Sequence, residues 1–364
     1  LKILLLDLGK IMRGGQRQVF YLARALARTP GFEPLVAIPK RSPLAPLLDA
    51  EGIPYETLPS HSDLNPLNIF RLFRIITAHK PEIVHTNDAK GASLAALTRL
   101  TKGGFKLVHS RRVSYRLRHG WSKRKYEAGD ALVAVSHEIQ DVLIQCGIPA
   151  EKTSTIHSGI DADMYSTVKN DHAVLTIGAV GALSTQKGFE VLIEALSELR
   201  KNETMPDWQC LIAGDGPLFQ ELKVKADEQG LAESILFLGY RDSREVLPEI
   251  DILTVPSVDG EGSNAVIKEG WASATPVITS DLPSNLELVV HEQNGLVFRN
   301  RDARELADAI ARIVNDKELA KTLVHNGSVS VGQFTDKTMA EKYMRIYRDL
   351  SARPPFLRRH GRGP

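Results

Sequence analysis

Cysteine is nearly absent from these 364 residues. The two present, Cys146 and Cys210, stand far apart and form no ligand pattern, and no other His/Cys/carboxylate grouping has metal-ligand spacing. That argues against a disulfide-stapled secreted fold and a zinc cluster, and points to a reduced, cytoplasmic setting. Long apolar runs are missing as well. Nothing approaches the roughly 18 residues of a spanning helix, so the chain is expected not to cross a membrane. The opening "LKILLLDLGK" is too short and too acidic for a leader and reads as a first strand. A large net charge is also lacking, but the total of +2 hides an asymmetry. Residues 1–165 hold 23 Lys and Arg against 15 Asp and Glu, which leaves 23 against 29 for the remainder. A basic half joined to an acidic half suggests two domains with different partners.

What is present is the balance of a soluble globular chain, 43% hydrophobic and 25% charged, with too many residues for one core of ordinary size. Short apolar runs alternate with helical patterns, the mark of βαβ units and parallel sheets. "KILLLDLG", "PLVAIP", "EIVHTND", "KLVHSRR", "ALVAVS" and "STIHSG" form a first strand series. After the polar stretch "YSTVKNDHA", a second runs through "VLTIGAVGAL", "WQCLIAGDG", "SILFLGY", "DILTVPS", "PVITS" and "GLVFRN". The predicted fold is α/β, with two Rossmann-like doubly wound domains facing across a cleft. Residues 1–165 would form one domain and 166–337 the other. A helix at about 338–352 would return to the first, and 353–364 would be a basic, poorly ordered tail. Such folds bind ligands beyond the carboxyl ends of their strands.

Beyond "DILTVPS" lies "EGSNAVIKEGWASATPVI", with carboxylates at Glu261 and Glu269. Ser263 or Asn264 suits a helix N-cap, and the amides from Gly262 to Val266 would then suit a phosphate. Glu269 would sit on the second turn, roughly 12 Å from Glu261 by helix rise, where a carboxylate can accept two ribose hydroxyls.

This stretch resembles the Glu, seven residues, Glu motif of the retaining GT-B glycosyltransferases, in particular family 4. Other motifs agree in order: Gly14-Gly15, "VAVS" at 133–136, "GID" at 159–161, "VGALSTQKGFEVLIEAL", "AGDGP" at 213–217 and "FLG" at 237–239. The resemblance implies that Glu269 binds the ribose of a nucleotide-diphosphate sugar and Glu261 contacts the sugar. Gly262, Ser263, Asn264 and Ala265 would hold the pyrophosphate, with Gly14, Gly15, Gly181, Gly214 and Gly216 completing the donor site. Lys187 would neutralise the leaving β-phosphate, and His109 falls where the family has a histidine near the transferred sugar. No cofactor or metal is implied. "DAD" at 161–163 could pass for a metal-binding motif, but it sits in the linker after "IHSG". Ala182 stands where the family has an arginine, and Ser158-Gly159 replaces its Asn-Gly.

Residues 111–126, "RRVSYRLRHGWSKRKY", carry Arg111, Arg112, Arg116, Arg118, Lys123, Arg124 and Lys125 among aromatic residues. The run reads as a contact for a phosphate-bearing or lipid-linked glycan acceptor or an anionic membrane surface, then as a solvated face. Nucleic acid comes last, since no nucleic-acid motif accompanies it. The activity implied is sugar transfer in lipopolysaccharide or other envelope-glycan synthesis, by a cytoplasmic enzyme able to sit on the inner membrane face. The rivals are a nucleotide-sugar epimerase of the same fold and a non-catalytic donor-binding subunit.

Overall fold

The structure is a computed structural model that describes residues 1–170 and 173–352; the tail expected at 353–364 lies outside them. The chain divides into two compact units.

The first unit comprises Leu1–Val135, Ile139–Ile156 and the chain from Met339 on. Its strands are β1 (Lys2–Leu6), β2 (Glu33–Pro39), β3 (Tyr55–Leu58), β4 (Ile83–Thr86), β5 (Lys106–Arg111), β6 (Ala131–Ala134) and β7 (Thr153–Thr155). They form one parallel sheet in the order β3-β2-β1-β4-β5-β6-β7. A central parallel strand is covered on both faces, which is why β1 is apolar from Ile3 to Leu6. Ile3 and Leu5 enter one core with Val19, Leu22 and Leu26 of the helix Gly14–Arg28, while Leu4 and Leu6 enter another with Leu72, Ile75 and Leu94. The last helix, Asp336–Ala352, adds Met339, Tyr343 and Tyr347 to the first of these cores. Polar bonds fix its register: Tyr347 Oη lies 2.6 Å from His85 Nδ1, and Tyr343 Oη lies 2.8 Å from Ser110 Oγ.

The second unit comprises Ser136–Glu138 and His157–Thr338. Its strands are β8 (Leu175–Val180), β9 (Trp208–Ala213), β10 (Ile235–Gly239), β11 (Ile252–Val255), β12 (Val277–Ser280) and β13 (Leu296–Phe298). The order is β10-β9-β8-β11-β12-β13, again parallel. Counted from β8 this is the doubly wound order 3-2-1-4-5-6.

Two expectations differ from what is observed. The division near 165 falls earlier, after Ile156, because Ile160 bridges Thr335 and both Ile160 and Tyr165 are buried in the second unit's core. Strand β3 was not anticipated, because "YETL" has no apolar run. It is an edge strand held through Glu56, whose carboxylate pairs with Arg71 at 2.5 Å.

Candidate functional site

In the second unit the strand order reverses between β8 and β11, so the loops that follow these strands flank the switch point where doubly wound sheets bind ligands. Close backbone contact builds both loops. Gly188 has φ of 63°, and a Cβ there would stand 2.0 Å from the Pro256 carbonyl oxygen. A Cβ on Gly214 would stand 1.8 Å from the Gly181 oxygen, and one on Gly216 would stand 2.4 Å from the Leu183 oxygen. Hydrogen bonds tie the same segments together, with Val258 N donating to Gln186 O at 2.8 Å and Leu183 N to Asp215 O at 3.0 Å.

This lacing carries Lys187, on a short 3-10 turn, to Glu261 on the loop after β11; Nζ and Oε1 are 2.6 Å apart. The Lys187 stem passes beside Gly181, 3.6 Å from where a Cβ would stand. Glu261 also accepts the Ser257 hydroxyl. The helix itself runs Ala265–Ala272 with Asn264 as N-cap, its Oδ1 accepting from Val266 N at 3.3 Å. The Val266 amide is therefore engaged, unlike the expectation from sequence. Glu261 lies on the turn ahead of the cap, so helix rise does not set its distance from Glu269. Asn264 is buried, yet its Nδ2 has no partner among the described residues, leaving a donor unspent beside the helix start. Glu269 follows on the helix, 8% exposed.

Known families match the chain in both halves. Residues 12–164 match the description "Glycosyltransferase Family 4" and residues 174–316 match "Glycosyl transferases group 1". The chain belongs to the group 1, family 4 glycosyltransferases. It is similar to the Escherichia coli UDP-Gal:alpha-D-GlcNAc-diphosphoundecaprenol alpha-1,3-galactosyltransferase, 25% identical over 309 residues that cover 78% of this chain and 79% of that one. It is 30% identical over 178 residues to the lipopolysaccharide core biosynthesis glycosyltransferase LpsE of Rhizobium meliloti, covering 48% of this chain and about half of the relative (49%). The Anabaena Alr3699/HepE structure in complex with UDP superposes with a TM-score of 0.83 at 23% identity, over 96% of this chain and 100% of that one. The fold is thus GT-B, and the family is one of retaining enzymes.

For a family 4 glycosyltransferase, one feature of the second unit was not read from the sequence. Lys268 is fully buried in the helix beside Glu269, and its ammonium donates to Ser263 Oγ at 2.6 Å and Ser158 O at 2.7 Å. It ties the loop before the helix to the 158–159 segment. The only sequence signal was a lysine between Ile267 and Glu269, at a position the helix turns inward. Ala182 is exposed and brings no charge. Asp163 of "DAD" is turned to Lys337 at 2.7 Å.

The first unit holds Gly14, Gly15 and His109 of the glycosyltransferase motifs. Gly14 and Gly15 open a helix whose N-cap, Arg13, makes no side-chain cap, and the Arg112 side chain lies 3.6 Å from where a Gly15 Cβ would be. His109 is fully buried, its Nδ1 2.6 Å from Thr86 Oγ1 and its ring edge-on to Tyr126. Burial drives its pKa down to about 3, so the ring is neutral. Placed this way it packs the β4–β5 pair, and its burial gives no support to a sugar-contacting role.

Asp7, at the carboxyl end of β1, was not singled out from the sequence. It is fully buried, and its Oδ1 accepts from Gly9 N at 2.9 Å. Burial, then the charge of Asp88, raises its pKa to about 6, against the opposing pull of the Gly9 and Gln16 hydrogen bonds and Arg112. A carboxyl with a raised folded-state pKa keeps a proton that the unfolded chain has lost, so stability falls as pH rises from about 4 to about 6. The loss is at most about 3 kcal/mol. Asp7→Asn is expected to flatten that part of the profile, checked by urea unfolding of both chains across the window. Parallel profiles would contradict it.

Proposed function

We propose that this chain transfers a sugar from a nucleotide-diphosphate donor to an acceptor hydroxyl, with retention, in the synthesis of a cell-envelope glycan. The observation that carries the reading is the convergence of Lys187, Glu261 and the Asn264-capped helix at the switch point of the second sheet. Envelope chemistry is favoured by the functions of the relatives, including a diphosphoundecaprenol-linked acceptor in one of them. UDP, bound in the Anabaena structure, is the first nucleotide to try.

In this reading the helix-start amides and Asn264 Nδ2 hold the diphosphate, and Glu269 accepts the ribose hydroxyls. The acceptor oxygen attacks the anomeric carbon on the face that the leaving group departs. The β-phosphate oxygen leaves with the glycosidic electron pair and takes the acceptor proton, so no carboxylate base is needed. Lys187 stabilises the charge that grows on that oxygen, a term preorganised groups make large. Glu261 holds Lys187 in place and faces the sugar.

The test is incubation with a panel of nucleotide sugars, with and without candidate glycan acceptors. Slow nucleotide release with one donor, accelerated by an acceptor, is expected. Turnover of the sugar itself without acceptor would favour an epimerase, and binding without any release a non-catalytic subunit. Since lysine and helix amides provide the positive charge, EDTA is expected to leave transfer intact. Activity abolished by EDTA and restored by manganese would contradict that.

A further inference from the structure

The cations of residues 111–126 do not share one surface. Side chains alternate in direction along a strand, and at the end of β5 Arg111 and Arg112 part. Arg112 goes toward Gly15, while Arg111 turns to Tyr115 and Tyr126. Lys123 pairs with Glu127 at 3.3 Å. Arg111, Arg116, Arg118 and Lys125 instead line a cavity of about 560 Å³, together with both tyrosines. It opens beside Ala89, the first residue of the helix Ala89–Thr101, and no Asp or Glu is among its lining residues.

Two of these cations are built in. Arg111 is 3% exposed, with its guanidinium 5.4 Å from the centre of each tyrosine ring and bonded to the Tyr115 carbonyl oxygen. Its Nε is buried and has no partner among the described residues. Lys125 is 9% exposed and fixed by Ala89 O at 2.7 Å and Ser93 Oγ at 3.1 Å. The acidic group at the helix start, Asp88, is engaged by the amides of Lys90 and Gly91, both at 2.8 Å. Burying a guanidinium with an unspent donor is costly unless a ligand supplies an acceptor. An arginine fork fits the oxygens of a phosphoryl group, and the exposed Arg116 and Arg118 can reach one.

We propose that this cavity binds the phosphate or diphosphate group of the acceptor, which makes the acceptor a phosphorylated glycan or a lipid-diphosphate glycan. Naming the occupant the acceptor rests on the transferase reading; the anion site itself stands on the first unit alone.

The test is calorimetric titration of inorganic diphosphate into the full chain and into Arg116→Gln/Arg118→Gln, both with UDP present to occupy the other phosphate site. Both arginines are exposed, so the fold is not at stake, and an unchanged melting profile checks that. The expected result is binding to the parent chain and binding about tenfold or more weaker to the variant. Indistinguishable titrations would overturn the proposal. UDP affinity measured separately reports on the donor reading, so either can fail without the other. Phosphatidylcholine vesicles with and without phosphatidylglycerol then separate the sources. Phosphatidylglycerol-dependent binding that diphosphate competes away and the variant lacks shows a lipid phosphoryl group reaching the cavity. Diphosphate binding without vesicle binding shows a soluble phosphorylated acceptor. Vesicle binding that ignores both diphosphate and the variant would mean a membrane-facing surface instead, and would overturn the cavity.

Discussion

Lys187→Ala is expected to lower the rate of sugar transfer by about a hundredfold or more, the typical effect of losing one preorganised donor at a developing oxyanion. The expectation is large because the usual companion is missing: Ala182 offers no cation. A structural explanation has to be separated from a chemical one, since the same substitution strands Glu261, whose side chain is only 10% exposed, without its 2.6 Å partner. A half-made ion pair is destabilising even where the whole pair contributes little. The double variant Lys187→Ala/Glu261→Gln removes that penalty. It is expected to recover the parent's thermal stability but not its rate. Recovery of both would assign Lys187 a purely structural place, and a nearly active single variant would put the leaving phosphate elsewhere.

Gly188→Ala is expected to be among the most damaging small substitutions in the second unit. A side chain at φ of 63° costs roughly 1–2 kcal/mol on its own. The added carbon would also meet the Pro256 oxygen at 2.0 Å and Val258 Cγ1 at 2.9 Å, and the first of these is backbone that cannot rotate away. The loops after β8 and β11 must separate, which weakens the Gln186–Val258 hydrogen bond and draws Lys187 from Glu261. Destabilisation beyond about 2 kcal/mol is expected, in the range of strained or overpacked sites, with donor affinity lost as well. Gly332→Ala, where nothing lies within 4 Å of the added carbon, is the matched control and should melt like the parent. Equal melting of the two variants would contradict the contact.

Most strands were legible because parallel strands buried on both faces are largely apolar, as "KILLL" after its lysine and "ILTV" are. Strand β3 was not, since an edge strand needs only one buried residue, here Leu58. Lys187 and Glu261 could be named from motif order, but their 2.6 Å pairing depends on loops packed through glycines at 188 and 214, whose steric need shows only in three dimensions. The histidine at 109 read as a site residue from the family resemblance, and the structure buries it fully. The basic run read as one patch, because charge spacing along a chain does not say which side chains converge. Asp7 and Lys268 carried no motif: Asp7 is a single charge in an apolar run and Lys268 stands beside Glu269, and only the structure shows that each is buried and held by specific partners.

The central claim is that a nucleotide-diphosphate sugar binds at the Glu261–Glu269 strand-loop-helix of the second unit. Its most direct test is calorimetric titration of a nucleoside diphosphate, UDP first, into the parent chain and Glu269→Gln. The account predicts binding to the parent and a loss of about 1.5–3 kcal/mol in the variant, the scale of hydrogen bonds to a charged group, or about ten- to a hundredfold in affinity. Binding of equal strength to both chains would contradict it.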